Sequence, residues 1–143
     1  MYCRVDVSGF QRKITRLKRE IPITIERILD DEIILLKQEV ESYLDRGIHS
    51  LSAGTTDKTD GCSELIRELE AIKRSLKTGQ LSPELRYLQS DSQVAPNNAL
   101  IHDGCQTRKP IRYMSDTIAM KRAEIFQRMR EKFRAEMQRI GRR

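Results

Sequence analysis

After Pro22 the chain places Ile25, Leu29, Ile33, Leu36, Val40 and Tyr43 at three- and four-residue steps. An α-helix brings such positions onto one face, so this run reads as an amphipathic helix of about 24 residues, from Pro22 to Gly47. Pro22 suits a first helical turn and restricts Ile21, so a new helix, or a kink, is expected to begin there. Gly47, after Arg46, is the expected stop. A helix of this length exceeds the globular mean and must span the domain or project from it.

The other elements arrange themselves around that rod. "YCRVDV", Tyr2 to Val7, alternates apolar and polar residues and reads as a short strand. Ser8 with Gln11 forms a capping-box pattern, and Phe10, Ile14, Leu17 and Ile21 mark a short helix before Pro22. The stretch 48–63, rich in Ser, Thr, Gly and Asp, reads as a loop. Leu65, Leu69, Ile72 and Leu76 give a second amphipathic helix. "KTGQL" reads as a turn at Gly79, followed by a strand through Leu81, Leu85 and Tyr87. "ALIH" reads as a returning strand ending at Asp103-Gly104. A last helix is expected from Ser115 or Asp116, both adequate N-caps, with a stripe of Ile118, Ile125, Met129, Phe133, Met137 and Ile140. The sum is a single α+β domain over residues 1–143, helix-dominated, with a small antiparallel sheet packed by long amphipathic helices.

With no Trp and 5% aromatic residues, the core must be built mainly from Ile, Leu, Val and Met. Cys3, Cys62 and Cys105 are odd in number and far apart, which argues for a reducing compartment over a disulfide scaffold. The first residues lack the apolar run of a signal peptide. The longest apolar run, "IILL" at 33–36, is far short of a membrane span. A soluble cytoplasmic product without membrane contact is expected.

Signatures of catalysis are weak. Neither Gly-rich phosphate loop nor nucleophile elbow is present. His102, Asp103 and Cys105 form one loose cluster where a zinc site wants two pairs of ligands. His49 or His102 could serve Cys62 or Cys105 only if the fold joined them, which would make a hydrolase. "LDDE", Leu29 to Glu32, places three carboxylates in one turn. Flanking Ile28, Leu29 and Ile33 direct Asp30 and Asp31 to solvent, so a solvated or partner-facing surface is expected. The chain reads as a non-enzyme with no cofactor, metal or small-molecule substrate.

Residues 121–143 hold nine Lys or Arg against Glu124, Glu131 and Glu136, within a net charge of +6. Arg122, Arg128, Lys132, Arg139, Arg142 and Arg143 can lie off the apolar stripe, as a basic face able to meet phosphates or acidic protein. Met129 and Phe133 anchor the opposite face, which must be buried on a body or a neighbouring subunit. Packing is therefore read as the main duty of this helix, and the basic face as secondary.

The layout resembles the tail-completion (neck) proteins, or minor tail components, of long-tailed bacteriophages. "VDVSGFQRKITRL" (5–17) resembles the family's opening and "PITIERILDDEIILLKQEVESYL" (22–44) its long helix. "KTGQL" (77–81), with Thr78, Gly79 and Leu81, resembles its turn, and "KPIRYMSDTIAMKRAEIFQRMREKFRAEMQRI" (109–140) its closing segment. The resemblance implies a non-catalytic virion protein, assembled in the host cytoplasm, that completes the head-proximal end of the tail and joins it to the head. It also implies self-assembly into a ring, a hexamer favoured, contact with other neck or tail proteins, and transient contact with packaged DNA. Arg122, Arg128, Lys132, Arg139, Met129 and Phe133 would then face an interface or the channel. The alternative is a small basic nucleic-acid-binding or regulatory protein that uses its last helix.

Overall fold

A computed structural model describes residues 8–53, 60–106 and 108–142. The order is α1 (Ser8–Ala53), α2 (Asp60–Ser75), β1 (Leu76–Ser82), β2 (Leu85–Ser90), α3 (Asn98–Asp103) and α4 (Tyr113–Gly141). The fold is α+β and helix-dominated, with one two-stranded antiparallel sheet among the described residues. The expected strand at Tyr2–Val7 lies outside those residues.

Two expected helices are one. α1 is 46 residues long, or about 69 Å at 1.5 Å per residue, and it runs through both Pro22 and Gly47. An interior proline removes one backbone hydrogen bond and crowds the carbonyl four residues back. Here tertiary burial overrides that break: Thr24, Ile28 and Glu32 are buried within three turns of Pro22. Gly47 does not stop the helix either, because Leu69 of α2 packs over it. The loop expected over 48–63 is therefore helical up to Ala53 and again from Asp60.

The core sits at one end of this rod. Val40 and Leu44 of α1 meet Leu69 and Ile72 of α2, Leu76, Ala95, Ile101 and Tyr113. α2 passes directly into β1, with Leu76 buried at the joint. A polar lock holds the base of the hairpin. The Ser75 and Ser90 hydroxyls lie 2.6 Å apart, and the Asn98 amide donates to the Ser90 carbonyl and hydroxyl at 3.1 and 3.0 Å.

The hairpin turn falls at Pro83-Glu84, not at Gly79. Thr78, Gly79 and Leu81 are strand residues of β1, opposite Leu88 and Tyr87 for the first two. Gly79 is needed for a different reason: a Cβ there would enter the space of the Tyr87 ring, which covers it across the ladder. "ALIH" is helical, in α3, and not a strand. Only Ile101 of that segment points into the core, while Leu100 is exposed, a one-sided pattern that one helical turn satisfies. Gly104 ends α3 with φ of +79°, and an added Cβ would meet the Pro110 nitrogen at 2.9 Å. α4 begins at Tyr113, before the expected caps. The Asp116 carboxylate instead accepts a 2.9 Å hydrogen bond from the Tyr43 hydroxyl.

Pro22→Ala restores a helical N–H and removes the ring clash, a change of up to about 3 kcal/mol in a helix interior. The variant should melt at higher temperature than wild type by circular dichroism. An unchanged or lower melting temperature would show that the helix has adapted fully to the proline.

Candidate functional site

α1 and α4 run antiparallel, and charged side chains cross the seam between them in order. Arg27 meets Glu136 at 3.1 Å, Lys132 meets Asp31 at 3.7 Å, and Lys121 meets Glu39 at 3.6 Å. At the centre lies Glu32, whose side chain is only 5% exposed. The Arg128 guanidinium donates to both its oxygens, from Nε at 3.0 Å to each and from Nη2 to Oε2 at 2.7 Å. The Lys132 ammonium donates to Oε1 at 3.0 Å. A buried carboxylate is tolerable only when its oxygens are satisfied in this way.

These contacts revise the reading of the basic face and extend that of the acidic turn. Arg128 and Lys132 do not form an outward basic face. They turn inward and spend their charge on Glu32. Nor is the "LDDE" turn wholly solvated: Asp30 and Asp31 are exposed, but Glu32 is buried. Its place was signalled in the sequence. Glu32 follows Ile28 by one turn and precedes Leu36 by one, while Arg128 and Lys132 are themselves one turn apart on α4. Arg139 pairs with Glu136 at 2.7 Å on the surface. Arg122 is exposed, with its guanidinium carbon 5.7 Å from the Phe126 ring centre.

Beside the charged seam lies an apolar groove of about 320 Å³, lined by Ile25, Ile28 and Leu29 of α1 and Phe126, Met129, Arg130 and Phe133 of α4. Met129 and Phe133 are thus half-buried against α1 and open on one side, and Phe126 is 54% exposed. Of the α4 stripe, Ile140 alone is fully buried and Ile118 is exposed. One helix partner covers only part of an apolar face this wide. The groove stays open because α2 and the hairpin cover α1 elsewhere.

The weaker clusters resolve differently. No group of three His, Cys, Asp or Glu among the described residues is placed to hold a metal ion. His102 faces neither cysteine in its hydrogen bonds. Its Nδ1 lies 2.8 Å from Asp103 Oδ1, and its Nε2 lies 3.2 Å from Ser115 Oγ and accepts the Ser115 N–H at 3.4 Å. The order hydroxyl–imidazole–carboxylate has the look of a nucleophile and its base. However, the Asp103 side chain is 76% exposed, and the Ser115 N–H shares the same ring nitrogen. The imidazole therefore serves as the missing acceptor for the first turn of α4. Cys62 is half-buried and Cys105 exposed. No described helix is long and apolar enough to cross a membrane. No family model matches the chain, and comparison with curated proteins and with solved structures finds no match.

Burial pushes the Glu32 carboxyl up, but hydrogen bonds and charge from Arg128 and Lys132 outweigh it and hold the group below its ordinary 4.5. The unfolded chain then binds the proton more readily than the folded one. The stabilisation is full above pH 4.5 and is lost as pH falls through the lower folded value. Glu32→Gln should cost roughly 2 kcal/mol at pH 7, because both cations keep some exposure to water. Denaturant melts should show that deficit shrinking as pH drops below 4.5. Removing both cations (Arg128→Ala with Lys132→Ala) leaves the buried charge alone and should cost more, about 3–5 kcal/mol.

Proposed function

We propose that this chain is a non-catalytic structural protein of the bacteriophage neck, completing the head-proximal end of the tail and joining it to the head through protein interfaces. The observation that carries the assembly part is the open groove, where Phe126, Met129 and Phe133 face α1 but remain half uncovered. An apolar surface of this kind, rimmed by charge, marks a binding site for protein. The neck assignment rests on the resemblance of the opening, the long helix and the closing segment. The "KTGQL" part of it is weakened, since those residues lie within a strand and not at a turn. A virion location, other neck or tail proteins as partners, and brief contact with DNA belong to the same proposal.

The inward pairing of Arg128 and Lys132 favours this reading over the nucleic-acid alternative, because it removes two cations from the exposed face of α4. Arg122, Arg130 and Arg134 remain exposed there.

Deleting the gene in the phage that carries it should give filled heads and separate tails of normal length by electron microscopy. Normal infectious particles would sink the neck reading. Fluorescence anisotropy on duplex DNA should show weak binding, with log K falling against log salt by a slope shallower than about −2, the release expected from two phosphate contacts. Tight binding with a slope near −4 or steeper, abolished by charge reversal at Arg122, Arg130 and Arg134, would favour the alternative.

A further inference from the structure

The hairpin tip is an apolar knob held rigidly away from the core. Leu81 is 68% exposed and Leu85 is 51% exposed, with Pro83 and Glu84 between them. Arg86 fixes this tip to α1. Its side chain is 5% exposed and donates to Asp30 Oδ1 at 2.6 Å, to the Ser82 and Pro83 carbonyls at 2.9 and 3.1 Å, and to the Glu26 carbonyl at 3.4 Å. A buried guanidinium spent on the carbonyls of a surface turn pre-organises that turn, and a pre-organised knob loses little freedom on docking.

The groove between α1 and α4 matches it in size and charge. A cavity left by one truncated core leucine is about 150 Å³, so about 320 Å³ accommodates two leucine side chains. Arg130 stands at the groove and forms no ion pair among the described residues. Glu84, at the centre of the knob, forms none either. Knob and groove are each apolar, each carries one unmatched charge, and the two charges are opposite.

We propose that the tip Leu81–Leu85 of one copy seats in the groove of a second copy, against Leu29, Phe126, Met129 and Phe133, with Glu84 meeting Arg130. The occupant is a second copy because both complementary halves lie on this one chain. Such a contact is either reciprocal, closing a two-fold pair with both tips seated, or one-way, closing a larger ring or continuing as an open array. The inference rests on the assembly reading, but not on the phage neck.

The test is sedimentation velocity on the full chain at micromolar concentration, with folding of each variant verified by circular dichroism. Wild type should self-associate. E84R alone and R130E alone should each weaken association by roughly tenfold, since reversal sets like charges together. The double variant, and an equimolar mixture of the two single variants, should recover most of it. A wild type that stays monomeric at 100-fold higher concentration would overturn the proposal, as would association indifferent to both reversals. A second pair, L81D with L85D, should abolish association without lowering helix content. Self-association that survives it would place the contact elsewhere. A monomeric chain that is still required to join heads to tails would sink this inference and leave the neck reading standing. Charge-dependent self-association with normal particles after gene deletion would do the reverse.

Discussion

The architecture hangs on one buried carboxylate. Glu32 sits in the α1–α4 seam with Arg128 and Lys132 closed around it. Without both cations it would be an uncompensated charge away from water, and with them it accepts four hydrogen bonds. The cluster acts as a register pin. Sliding α4 by one turn along α1 would pull the carboxylate out of reach of its partners and misalign Arg27–Glu136 and Lys121–Glu39 as well. A purely apolar seam between two long helices sets its register only through the interdigitation of side chains, without the penalty of a stranded charge.

That pin explains how a long rod can be held by a small core. The fully buried apolar cluster lies where α1, α2, α3 and the start of α4 converge. Further along α1, few apolar side chains are fully buried, and specificity comes from polar contacts. The Arg86 clamp plays the same part on another side of α1, tying the hairpin to Glu26 and Asp30. With α1 engaged by α4 on one side and by the hairpin on another, the strip carrying Ile25 and Leu29 is left open. The groove follows from the placement of its neighbours.

The electrostatics of α4 also change meaning once it is folded. Counted along the chain it is a strongly basic helix. In three dimensions Lys121, Arg128, Lys132 and Arg139 each have a carboxylate partner. The positive charge left to an outside partner is carried by a different set, Arg122, Arg130 and Arg134. Arg130 borders the apolar groove, so part of the remaining charge lies beside the half-covered apolar strip of the α1–α4 seam.

The amphipathic stripes of α1, α2 and α4 were legible in the sequence, because a 3.6-residue period is a local property and buried faces enforce it. So were the helix-dominated α+β class and the residues Leu69, Ile72 and Leu76 that enter the core. Local rules failed where a distant segment settled the outcome. Pro22 and Gly47 read as breaks, yet burial further along α1 and the packing of α2 carry the helix through both. Gly79 read as a turn because glycines favour turns; only the pairing of β1 with β2 reveals Tyr87 above it. Ile101 and its neighbours could be strand or helix until the core supplied a single socket. Whether Arg128 and Lys132 face water or Glu32 depends on a partner about 100 residues away in the chain, and an ion pair of that span is decided only by how α4 lies against α1.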